Sequence, residues 1–138
     1  MFESDTERPV RPERTGWRDL GLSDRHRQWG FNCPAVDLDF VLCEYDEGRV
    51  YAIVEYKCQG AAPIRLGHPT MRALTDLANR AKVPFFVTIY SRDFAAYRVQ
   101  PINYYAQQFT KTVLDLNETP YINFLLHLRG RQPNGQLF

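Results

Sequence analysis

Three cysteines, Cys33, Cys43 and Cys58, are too few and too scattered for a disulfide framework, and without a CxxC pair they offer no zinc site. That usage fits a reducing, cytoplasmic setting. No run of about 18 apolar residues occurs, and the sequence starts on charged residues, so neither membrane insertion nor secretion is expected. Net charge is only +1, from 17 Lys plus Arg against 16 Asp plus Glu, which lacks the strongly basic balance of a protein that coats nucleic acid. Lysine itself is scarce, with 3 against 14 arginines. The three histidines, His26, His68 and His127, lie far apart with no ligand spacing, and helix-end or surface roles are expected of them.

What is present is an ordinary globular composition. The 138 residues are 44% hydrophobic, and a chain of this size buries roughly two thirds of its unfolded surface, enough for one core without metal or disulfide support. Charge is unevenly distributed. Residues 31–55 carry Asp37, Asp39, Glu44, Asp46, Glu47 and Glu55 against Arg49 alone, whereas residues 56–82 carry Lys57, Arg65, Arg72, Arg80 and Lys82 against Asp76 alone. An acidic hairpin is thus followed by a basic segment, either a cation site beside a polyanion-binding face or two solvated faces that balance.

Residues 1–22, with Pro9, Pro12, Gly16 and Gly21, read as an N-terminal arm, and residues 23–138 as a single domain. Ser23-Asp24 signals a short helix to Trp29, closed by Gly30. Residues 36–45 and 49–57 then form apolar-rich strands joined by Asp46-Glu47-Gly48. Their apolar runs are continuous rather than alternating, so both sheet faces should be covered, as in a layered α/β or α+β fold. Pro69 opens an amphipathic helix with Met71, Leu74, Leu77, Ala78 and Ala81 on its apolar face. Residues 83–90 form an interior strand, and residues 97–100 its partner across Ser91-Arg92-Asp93. Asn103 caps a helix over residues 104–109. Thr119-Pro120 begins a last helix, with Ile122, Leu125 and Leu126 facing inward and Gly130 ending it. The expected architecture is a central mixed sheet flanked by helices.

The hairpin carries the chemistry. A three-residue loop places Gly48 at the position of positive φ and sets Tyr45 opposite Arg49. In that register Asp39 lies opposite Glu55 and Asp37 opposite Lys57, with facing Cβ atoms about 5 Å apart. Two carboxylates side by side at the end of an apolar strand repel, and a divalent ion, a shared proton or a basic partner relieves them. Oxygen ligands with open positions suit Mg²⁺ or Mn²⁺, which take further ligands from substrate phosphates. The compact ammonium of Lys57, in a chain that otherwise prefers arginine, stands beside them.

Asp39-Phe40-Val41, then Val54-Glu55-Tyr56-Lys57, then a helix and the strand at 83–90, resemble the PD-(D/E)XK nuclease superfamily, which has the restriction-endonuclease-like fold and includes Holliday-junction resolvases. The resemblance spans residues 36–90. It implies a metal-dependent nuclease acting on DNA, or on RNA, with Asp39 and Glu55 as metal ligands, the Tyr56 carbonyl as a further ligand and Lys57 as the catalytic lysine. Gln59 matches a polar position after that lysine. The proline of the family name does not precede Asp39, and with Pro34 lying earlier Asp37 is the alternative ligand; the register favours Asp39. Many members supply a glutamate from their first helix, and Glu13 is the upstream candidate. The four-cysteine iron-sulfur branch is excluded. Arg65, Arg72 and Arg80 are candidate phosphate contacts, equally explained as a solvated helix face. Tyr90, Tyr97, Tyr104 and Tyr105 suit packing better than base stacking. A homodimer is one assembly open to a chain of this kind, with the last helix and its Arg129 and Arg131 as the candidate contact. The alternative is a non-catalytic module that keeps the fold and binds nucleic acid or a protein.

Overall fold

The computed structural model describes residues 20–30 and 33–130. The chain divides into two units, residues 1–35 and 36–138, each described by itself. In the first, helix α1 spans Leu20–Trp29 and buries none of its residues. It starts four residues before the expected Asp24, so residues 20–22 are helical rather than part of an irregular arm. Asp24 instead pairs with Arg27 at 3.0 Å, three residues along the same face. Gly30, at φ +55°, follows the helix as its left-handed terminator.

The second unit is α+β. Five strands, β1 (Phe40–Glu44), β2 (Arg49–Cys58), β3 (Phe85–Tyr90), β4 (Ala96–Pro101) and β5 (Leu114–Asn117), form one sheet in the order β1-β2-β3-β4-β5. Only β2 and β3 run parallel; the other three pairs are antiparallel. A parallel pair needs a crossover, and helix α2 (Pro69–Ala81) provides it. Pro69 stands at its first turn as expected, but the N-cap is His68, whose Nδ1 accepts the Thr70 N–H at 3.1 Å.

Met71, Leu74 and Ala78 of α2 pack on Ile53, Phe85 and Val87 over one sheet face. The stripe is narrower than the sequence pattern indicates: Leu77 stays 44% exposed, because α2 meets the sheet along a single i, i+3, i+7 line. The other face packs on helix α4 (Glu118–Leu128), with Phe124 edge-on to Phe86 at 5.2 Å between centroids. Full burial of such a side chain contributes about 2–3 kcal/mol. The buried positions of α4 are Tyr121, Phe124 and Leu128, and Ile122 points outward at 47% exposure. Of the residues expected to face inward, Leu125 packs against this core, whereas Ile122 does not, because the larger rings of Tyr121 and Phe124 take the core side.

Both faces of β2 and β3 are covered, but β1 is an edge strand, and Phe40 and Val41 remain exposed because α2 and α4 lie over the sheet centre. Helix α3 is shorter than expected, Tyr104–Gln107, and is capped by Asn103 as anticipated. The buried Asn103 does more than cap. Its Oδ1 accepts the Phe85 and Ala106 N–H groups, and its Nδ2 donates to the Val83 carbonyl and to Asn79 Oδ1. This ties the end of α2, the start of β3 and α3 together. Arg129 grips Glu44 within the chain, Nε to Oε1 at 2.6 Å and Nη2 to Oε2 at 2.8 Å. Arg131 lies outside the described residues. All three cysteines are free. Among the described residues no helix is long and apolar enough to cross a membrane.

Candidate functional site

The hairpin reaches its expected register by another route. Glu44, not Tyr45, faces Arg49, so the loop has four residues, 45–48, with Gly48 at φ +64°. A bulge between Leu42 and Cys43 then leaves Tyr51 without an opposite residue and shifts the pairing back by one. From Leu42↔Ala52 to Phe40↔Val54 the pairing is the expected one. Asp39, one step further, therefore comes beside Glu55.

Even-numbered residues of β2 turn their backbone groups toward β1, and odd-numbered ones toward β3, as the Ile53 N–H to Pro84 carbonyl bond shows. The Tyr56 N–H thus points past the end of β1, where Asp39 Oδ2 accepts it at 3.1 Å. The Tyr56 carbonyl faces the same open edge, since the N–H and C=O of one strand residue address the same neighbour. Glu55 and Lys57 alternate with Tyr56 and share the sheet face covered by α2.

Glu55 is only 7% exposed, and its Oε1 is buried with no hydrogen-bond partner. The Lys57 ammonium lies 3.5 Å from its Oε2. Burial raises the Glu55 pKa first, then the Asp39 charge and a hydrogen bond to Asp39, while Lys57 lowers it. Two carboxyl groups bond to one another only through a proton, so that bond belongs to the protonated state. A divalent cation relieves the same burial and repulsion by direct coordination, and the two carboxylates with the Tyr56 carbonyl are the oxygen ligands it would take. Among the described residues no group of three or more His, Cys, Asp or Glu gathers as a metal-ligand set.

Glu55 and Lys57 line a cavity of about 370 Å³ together with Arg65, His68 and Thr70. Arg65 is thus brought to the site. Arg72 is exposed on α2, and Arg80 pairs with Asp76 at 2.9 Å; neither lines this cavity. Gln59 lines a separate cavity of about 360 Å³ with Arg98 and Asp115. Asp37 is exposed and lies before the ladder that would set it opposite Lys57. Glu13 lies outside the described residues. His68 was missed as a site residue, because only the fold brings it near Glu55; its helix-end role was legible in the following Pro69.

The aromatic residues gather on the opposite sheet face. Tyr97 stacks on Tyr121 at 4.5 Å, and the Tyr56 and Tyr121 hydroxyls meet at 2.6 Å. Tyr90 stacks on Phe94, which takes φ +61°. Tyr104 and Tyr105 meet edge-on at 5.4 Å. No protein-family model, no curated protein and no solved structure matches the chain.

Proposed function

We propose that this chain is a Mg²⁺- or Mn²⁺-dependent nuclease of the PD-(D/E)XK type with a restriction-endonuclease-like fold, hydrolysing phosphodiester bonds of DNA, with RNA as the second substrate to test. The observation that carries the reading is Glu55: a buried, unpartnered carboxylate oxygen beside the Asp39 carboxylate, in a cavity it shares with Lys57. A purely structural hairpin end gains nothing from this arrangement, because each unpartnered buried oxygen costs about 1–3 kcal/mol. A hydrolytic metal site uses it.

The ion, when bound, supplies Lewis-acid polarisation of a phosphate and a more acidic water. The chain's own groups do the rest. Asp39 and Glu55 hold two oxygens on one side of the hairpin end, and the Tyr56 N–H fixes one oxygen of Asp39 in place. Lys57, 40% exposed at its side chain, sits between the buried carboxylate and solvent. There its ammonium offsets negative charge as a phosphate approaches and orients the attacking water. The supporting topology is an acidic hairpin, then a crossover helix, then a parallel strand beside the hairpin's second strand.

The test is hydrolysis of single-stranded, duplex and branched DNA, and of RNA, across divalent metals, for the parent, Glu55→Ala and Lys57→Ala. Cleavage that requires Mg²⁺ or Mn²⁺ and falls at least about 100-fold in each variant is the expected result. Equal cleavage in all three proteins, or none with any metal, removes the proposal.

A further inference from the structure

The cavity in front of Glu55 has a second wall that the two carboxylates and Lys57 do not explain. Arg65 and His68 sit on one turn, closed by the His68 N–H donating to the Arg65 carbonyl at 3.0 Å. The same turn leads into α2, whose first residues, Thr70 and Met71, also line the cavity. His68 Nδ1 accepts the Thr70 N–H, so that nitrogen carries no proton and the ring's N–H is on Nε2. The ring is thereby held in orientation by the start of the helix. The Arg65 side chain has neither a hydrogen bond nor a carboxylate partner among the described residues, unlike Arg80, Arg98 and Arg129. Charges lining the cavity are Lys57 and Arg65 against Glu55 alone. With a cation on the carboxylates, the balance becomes more positive still.

We infer that Arg65 and His68 form a phosphate-binding point that holds the substrate strand one phosphate away from the bond at the carboxylates. Arg65 offers a planar fork of donors to a phosphate without first breaking an ion pair. His68 Nε2–H adds a directed donor from the turn that carries Arg65. The start of α2, a helix of 13 residues, contributes the positive end of its dipole on the same side. A separate sign that the cavity takes a ligand is Glu55, which also lines it: the residue is more than nine-tenths buried and its Oε1 has no hydrogen-bond partner. The group this wall suits is a backbone phosphate of the polynucleotide proposed above as substrate.

The inference rests on the phosphodiesterase reading of the site, and binding rather than cleavage separates the two. The measurement is fluorescence anisotropy of a labelled single-stranded oligonucleotide, with Ca²⁺ replacing Mg²⁺, over a range of salt, beside Mn²⁺ titration by calorimetry. The variants are Arg65→Gln, Arg65→Lys and His68→Asn. Asparagine is a favoured N-cap, so His68→Asn keeps the start of α2 and removes only the reach of the imidazole. Arg65→Gln and His68→Asn should each weaken the oligonucleotide about tenfold at low salt. Arg65→Gln should also lower the slope of log affinity against log salt by about 0.7, and Arg65→Lys should restore it. His68→Asn should change the slope less than Arg65→Gln does, because it removes a directed hydrogen bond and leaves the guanidinium charge in place. Mn²⁺ affinity should stay within about twofold in all three.

Unchanged oligonucleotide affinity in Arg65→Gln and His68→Asn, or no binding by the parent, overturns the inference even where cleavage is intact. Loss of Mn²⁺ binding in these variants overturns it too, since they would then act on the carboxylates. Weakened binding as expected, in a parent that neither binds Mn²⁺ nor cleaves, supports the phosphate point and removes the hydrolytic reading alone.

Discussion

The Asp39 carboxylate takes the place of a backbone carbonyl for Tyr56, accepting its N–H at 3.1 Å just where β1 ends. One oxygen is thus committed to the fold, and the other is left for Glu55 and any ion they share. Substitution can separate these uses. Asp39→Asn retains an acceptor for Tyr56 and removes the charge, so its stability should match or exceed that of the parent while Mn²⁺ affinity falls at least about tenfold. Asp39→Ala should lose the same affinity and also about 1 kcal/mol of stability. Calorimetric Mn²⁺ titration and urea unfolding check both. Wild-type affinity in Asp39→Asn would remove Asp39 from the ligand set and bring Asp37 forward.

The placement of Asp39 beside Glu55 was legible in the sequence for a reason that held only in part. Gly48 marks the turn, and alternation along β2 puts Glu55 and Lys57 on one face; both follow from residue type and spacing. The extra loop residue and the bulge at Tyr51 were not legible, and they cancel. Nothing local to Tyr51 marks it as the unpaired residue. Strand β5 was missed because four residues with two leucines carry too little pattern, and they run directly into α4. The face of α4 was legible at Leu125 and not at Ile122 for the opposite reason: with apolar residues almost all round, periodicity selects no side. His68 and Arg65 meet Glu55 only through the parallel β2-β3 crossover, a relation that no sequence spacing encodes.

Asn103 holds four hydrogen bonds while almost fully buried. Asn103→Ala should cost about 3 kcal/mol in urea unfolding, because two backbone N–H groups and one carbonyl lose their partner in the core. Asn103→Asp should be no milder, since it turns an acceptor toward the Val83 carbonyl. A loss below about 1 kcal/mol would mean water replaces these bonds and the knot between α2, β3 and α3 is dispensable.

Arg129 pairs with Glu44 through two hydrogen bonds, with side chains only 17% and 12% exposed. Arg129→Ala should lower stability by about 3 kcal/mol, the cost of leaving a largely buried carboxylate without its cation. Mn²⁺ affinity should not change, because Glu44 lies at the loop end of β1 and Asp39 beyond its other end. Parallel unfolding and titration measurements check the separation; coupled losses would show that the loop end of the hairpin sets the geometry of the carboxylates.

Glu55 links stability, pH and metal in one residue. Folding raises its pKa above the ordinary value of 4.5 through burial and then Asp39, so the folded chain holds that proton more tightly than the unfolded chain. The sign follows directly: the group imposes no penalty below about pH 4, and stability is lost as pH rises from there through the raised folded value. Glu55→Gln removes the charge at nearly constant shape and gives the buried atom an amide donor for Asp39. In chelator, the variant should therefore be more stable than the parent by about 1 kcal/mol at pH 7, with the difference vanishing near pH 3. Added Mn²⁺ should reverse the order at pH 7, because binding to the folded parent stabilises it by RT ln(1 + [Mn²⁺]/Kd) and the amide is a poorer ligand. Thermal melts of both proteins at the two pH values, with chelator or Mn²⁺, decide the matter. A parent already the more stable at pH 7 in chelator would show that Lys57 alone compensates the buried carboxylate, leaving a cation nothing to relieve at this site.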